Sequence, residues 1–132
     1  MTEFHKAWMA FWQQFGVPVF LAGCVDDQTA FPYITVNIAD GDLMGDNILT
    51  VTSWHRRNPA DSWTVAMTER LNLMDAVQES IPPNPGGYVL KFPGGFAILR
   101  RNDANFVSYV ADDTDSAVIG GRVSCEVQYF HL

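Results

Sequence analysis

Cysteine is scarce in this chain: Cys24 and Cys125 are the only two among 132 residues. No C-x-x-C pair exists, so a thiolate zinc site or thioredoxin-like redox chemistry finds no support. A disulfide between the two stays open, and the habitual burial of free cysteine favours two buried thiols. Charge is scarce as well, at 17% of residues against the usual quarter or so. Cations are the scarcest of all, with eight Lys and Arg against 15 Asp and Glu and a net charge of −7. Affinity for nucleic acid grows with the phosphates neutralised, so tight DNA or RNA binding is disfavoured. An anionic membrane surface would repel the chain for the same reason. Long apolar runs are missing too, since the most apolar stretch, residues 17–22, is short and contains Pro18. The start, Met1-Thr2-Glu3-Phe4-His5-Lys6, has no basic segment followed by an apolar run. It reads as a cytoplasmic start and not as a signal peptide.

What the chain does have is core material, 48% hydrophobic and 13% aromatic residues. Disorder and small disulfide-stapled scaffolds are thereby excluded. The length suits one domain spanning residues 1–132. Phe4, Trp8, Phe11, Trp12 and Phe15 recur at helical spacing, which predicts a helix over residues 3–15. Thr2 is placed to cap it and Gly16 to end it. Such an aromatic stripe reads as core before it reads as an intermolecular face.

A short extended piece over residues 17–21 precedes a polar loop. Residues 31–38 then alternate, with Ile34, Val36 and Ile38 on one face, and residues 47–55 form a second β-rich run. The simplest pairing is an antiparallel hairpin. Asn58-Pro59-Ala60-Asp61 opens a helix whose apolar positions run from Trp63 to Ile81, with Arg70 the one polar intruder. Pro82-Pro83 stops it. Residues 88–92 and 96–101 flank Pro93-Gly94-Gly95 as a second hairpin. Residues 106–110 read as a strand, 111–116 as an acidic loop, and 122–131 as a closing strand with one buried face. Strands in runs around one long helix predict an α+β fold. Its mixed sheet is mainly antiparallel, with an N-terminal helix and one longer helix packed on it.

Catalytic signatures are missing: no G-x-S-x-G, P-loop, H-E-x-x-H or dinucleotide fingerprint occurs. His5, His55 and His131 are scattered, which predicts surface or half-buried imidazoles and no metal or cofactor site. Asp40, Asp42 and Asp46 surround glycines as turn residues do, and the late Glu of a calcium loop is missing. Asp112, Asp113 and Asp115 read as another solvated loop. Arg56-Arg57 and Arg100-Arg101 supply half of the basic residues, each pair at the end of an expected strand. Two readings of them stand: exposed strand termini, or a subunit interface in which the arginines of one copy meet Asp40, Asp42 and Asp46 of the next.

The order of segments carries a resemblance. "FPYITV" over residues 31–36 is followed by "DNILTVTSWHR" over 46–56, a helix after Asn58, and Gly86-Gly87-Tyr88-Val89-Leu90-Lys91. This resembles the tail terminator family (tail completion, or minor capsid, proteins) of long-tailed phages and prophages. The likeness covers nearly the whole chain; residues 102–121 are longer and more acidic than the family pattern. It implies a non-enzymatic structural protein that forms a ring, typically a hexamer, ending the tail tube and joining it to the head. Its partners would be further copies of itself, the tail tube protein and head–tail connector proteins. DNA would pass through the lumen without specific binding, eased by negative charge. Its place would be the virion tail or neck, reached from the host cytoplasm during assembly. The competing expectations are another connector or tube component, a host-protein interaction module, or a small ligand-binding domain using Tyr33, Trp54 and His55 as a pocket.

Overall fold

A computed structural model describes residues 2–38, 46–58, 60, 63–102 and 105–131, with the backbone alone at 46, 47 and 131. Thr2 caps the first helix, α1 (Glu3–Gln13), its hydroxyl oxygen accepting from the His5 N–H at 3.2 Å. The helix ends two residues short of the expected Phe15, and Gly16 follows with φ of +80°. Strand β1 (Val19–Leu21) comes next, then β2 (Tyr33–Val36) and β3 (Asp46–Arg56). The second helix, α2 (Trp63–Ser80), begins later than Asn58 suggested; Asn58 instead accepts from the Ala60 N–H at 3.0 Å. Pro59 and Asp61, read as its first turn, lie outside the described residues. Strands β4 (Tyr88–Phe92), β5 (Gly95–Arg101), β6 (Val107–Ala111) and β7 (Val118–His131) complete the chain.

The sheet has seven strands in the order β1-β2-β3-β7-β5-β4, with β6 paired to β7. Among the described residues β1 and β2 run parallel and the other pairings are antiparallel. The fold is α+β, as the strand runs imply. Strand β7 organises it: β3 holds one edge along its length, while β6 and β5 share the other.

Period-two alternation divides the sheet into two faces. The inner face carries Ile34 and Val36 of β2, Leu49 and Val51 of β3, Ala97 and Leu99 of β5, and Val123, Cys125 and Val127 of β7. All are buried. Both helices lie on this face. Phe4, Trp8 and Trp12 of α1 are buried, with Phe4 set edge-on to Phe92 and Tyr129. The aromatic stripe is core. Leu73, Met74 and Val77 of α2 join the same cluster.

Strand β7 starts at Val118, four residues before the expected start at Arg122, and so takes in Gly120 and Gly121. They are strand glycines at close approaches. A Cβ on Gly120 would sit 2.8 Å from the Ser53 carbonyl oxygen, and one on Gly121 would sit 2.8 Å from Met74 Sδ. The cysteines also differ from expectation: both are free, Cys125 buried but Cys24 exposed. Burial pushes the Cys125 thiol up to about 12, which leaves it protonated and unreactive.

Candidate functional site

Ser53 and His55 sit two apart on β3, so both side chains meet the inner face beneath α2. His55 Nδ1 lies 2.7 Å from Glu69 Oε1 of α2, and Nε2 lies 2.9 Å from Ser53 Oγ. An ionised carboxylate only accepts, so Nδ1 carries the proton and Nε2 accepts from the serine hydroxyl. Ser53 Oγ in turn accepts from the Gly121 N–H at 3.3 Å. The result is one unbroken run of hydrogen bonds from β7 through β3 to α2. Both imidazole nitrogens are satisfied with the ring neutral. His55 is fully buried and His5 is 8% exposed, so both are more enclosed than the scattered histidines suggested.

Serine, histidine and carboxylate in this order match the sequence of roles in a hydrolytic triad. Access decides against that use. Ser53 is 2% exposed. The neighbouring cleft, of about 280 Å³, is walled by Phe15, Val17, Pro32, His55, Glu69 and Leu73, with Ser53 not among them. A carbonyl entering there would meet the imidazole and the carboxylate, never the hydroxyl. These groups fasten α2 to the sheet. The expected pocket of Tyr33, Trp54 and His55 does not form, since odd and even positions of β3 face opposite ways. His55 points inward, while Trp54 and Tyr33 share the other face as register partners.

Burial holds His55 below its ordinary value near 6.5, with the Glu69 hydrogen bond and charge pulling the other way and the Arg70 charge adding to the fall. The unfolded chain regains the ordinary value and therefore binds the proton first as pH falls. The stability contributed by the neutral ring is complete above pH 6.5 and declines as pH drops toward the lowered folded value. Thermal melting of the wild type is expected to lose Tm from pH 6.5 downward more steeply than His55→Gln. Parallel curves for the two proteins would refute this assignment.

The arginine pairs separate for the same reason of alternation. Arg100 projects from the face opposite the helices and donates to Gln128 Oε1 at 3.2 Å. Its neighbour Arg101 turns inward and donates from Nε to the Ile81 carbonyl at 2.8 Å and from Nη2 to that of Gln78 at 2.6 Å. Arg101 thereby serves the unpaired carbonyls that end α2, where a cation is also favoured by the helix dipole. Its guanidinium lies over the Phe106 ring at 4.8 Å. Arg56 pairs with Asp115 of its own chain and lies 5.9 Å from the Phe31 ring centre. Asp115 is held below the usual carboxylate range, first by the Ala117 N–H and then by Arg56. Arg57 covers the Trp63 ring at 5.5 Å. Arg56 and Arg101 are thus engaged within the chain. Asp40 and Asp42 lie outside the described residues. Asp46 pairs through its backbone with Gln128 in the β3–β7 ladder.

Opposite the helices, the second face of the sheet carries no helix among the described residues. Register brings its side chains into rows: Lys91, Phe96 and Phe130; then Val89, Ile98 and Gln128; then Arg100, Glu126 and Ile48. Ile48 is 63% exposed and Val89 49%. Phe96 stacks on Phe130 at 4.8 Å between centroids. Arg122, further along β7, is exposed on the same face. The sequence signal for this face was the composition of alternate strand positions, apolar on both sides in β5 and in the last part of β7.

No group of His, Cys, Asp and Glu that could hold a metal ion occurs among the described residues. Nor is any described helix long and apolar enough to cross a membrane. No protein-family model, no curated protein and no solved structure matches the chain.

Proposed function

We propose that this chain is a virion structural protein of the tail terminator kind, assembling as a ring, hexameric by its resemblance, that ends the tail tube and offers the head-joining surface. The observation that carries the reading is the helix-free sheet face, with Ile48 and Val89 held out to solvent. Exposed aliphatic side chains on a regular surface are what an assembling subunit buries against its neighbours. The enclosed Ser53 is compatible with the same view, because the Ser53, His55 and Glu69 constellation has its nucleophile out of reach. A role as another connector or as a tube component draws on the same face. A small-ligand pocket draws on less, since Tyr33 and Trp54 diverge from His55.

Deleting the gene from an inducible prophage tests the proposal. Electron micrographs of the lysate should show full heads apart from tails, with the tails irregular in length. Normal virions in normal yield would overturn it. Turnover of a small molecule that vanishes with a single side-chain change would do the same.

A further inference from the structure

We infer that the helix-free sheet face is the docking site for α2 of a second copy of this chain, a head-to-tail contact that completes a helix–sheet–helix sandwich. The inference rests on the ring-forming role proposed above and names the surfaces that would close the ring. Within one chain α2 covers the inner face with Leu73, Met74 and Val77 and turns a second stripe to solvent. Val65 is 56% exposed and Leu71 49%, followed one and two turns later by the exposed acids Asp75 and Glu79. Neither acid has an ion pair among the described residues.

The sheet face offers the complement. In a chain of net charge −7, Arg100 and Arg122 stand on that face with no ion pair among the described residues, Glu126 lying beside Arg100 in the register. Spacing agrees with charge. Along α2 at about 1.5 Å per residue, Leu71, Asp75 and Glu79 lie about 9, 15 and 21 Å beyond Val65. Along β7, side chains on one face recur about every 7 Å. Seating Val65 on the Phe96–Phe130 row places Leu71 between the Ile98 and Ile48 rows, Asp75 by Arg100, and Glu79 over Ser124, one step of about 7 Å short of Arg122 and within the length of its side chain. Apolar groups then meet apolar groups, and the two acids meet a face whose cations, Lys91, Arg100 and Arg122, outnumber Glu126. The pairing is heterologous, the kind that generates rings when its rotation closes. An intermolecular contact of this sort also accounts for the aliphatic residues exposed on the outside of α2.

Sedimentation velocity and native mass spectrometry on the full chain test the contact, with circular dichroism confirming that each variant is folded. The wild type should self-associate with rising concentration. Asp75→Lys with Glu79→Lys should raise the dissociation constant at least about tenfold, and Arg100→Glu with Arg122→Glu should do likewise. All four changes in one chain restore the charge match and should restore association. The helix-side variant alters only exposed helical positions, so it stands as evidence even if the sheet-side variant unfolds. Association unchanged in the helix-side variant overturns the inference while leaving the ring, judged by the deletion phenotype, intact. A wild type that stays monomeric at the highest attainable concentration overturns it as well. So does wild-type binding of a DNA duplex, without self-association, that is lost on changing Arg100 and Arg122.

Discussion

Replacing Trp8 with alanine is expected to destabilise the protein by about 3–5 kcal/mol. That loss rivals the whole stability of many domains this size, about 5–15 kcal/mol. Trp8 is fully buried, stacked on Phe4 at 6.2 Å and edge-on to Trp12 at 5.5 Å. Its indole N–H donates to the Asn37 carbonyl at 3.3 Å, which ties α1 to the segment after β2. A helix of 11 residues is marginal alone in water, so α1 persists because this stripe is buried, not because of its propensity. Removing the ring opens a cavity where α1 crosses the sheet and strips Asn37 of a donor. Urea denaturation should show a lower midpoint with little change in slope, and Tm should fall by about 10–20 °C. Lys6→Ala, on the exposed side of the same helix, should stay within about 0.5 kcal/mol. A folded Trp8→Ala of near wild-type stability would move the stripe from the core to an intermolecular face.

The elements that were legible in the sequence are those whose signal is local. Helical spacing of Phe4, Trp8 and Trp12, alternation of Ile34 and Val36, and Pro82 after α2 each report a periodicity or a break within a few residues. The failures share a cause, which is that they turn on a neighbour distant in sequence. Gly120-Gly121 carries no strand signal of its own, and its place in β7 makes sense only once Ser53 and Met74 are seen crowding the places where side chains would stand. Arg100-Arg101 looks like a pair until strand alternation sends one guanidinium to the open face and the other to the end of α2. Ser53-x-His55 lies on one face by period two alone, but Glu69 joins it only because α2 crosses β3 there. Even the open face was half legible. Its strands were foreseeable, yet which side the helices would leave bare follows from tertiary packing.

The second large effect is expected at Gly95, where alanine should cost about 3 kcal/mol, the upper range for overpacking. A Cβ on Gly95 would run into the Phe130 carbonyl oxygen and lie 3.0 Å from Phe92 Cε2. The first contact is with backbone inside the β5–β7 ladder, where Gly95 pairs with His131 and Phe96 with Phe130. It has no rotamer by which to escape. Relief requires the β4–β5 hairpin to lift from β7, and Phe92 moves with it, away from Tyr129 at 5.4 Å and Phe4 at 5.9 Å. Gly121→Ala is the informative contrast, because its 2.8 Å contact is with Met74 Sδ, a thioether that can rotate aside. That variant should lose only about 1 kcal/mol. Urea titrations of the two proteins should therefore differ clearly, with amide exchange in residues 88–101 rising in Gly95→Ala alone. Equal losses would mean that the hairpin yields as readily as a methionine, and the close approach at Phe130 would then have no hold on the sheet.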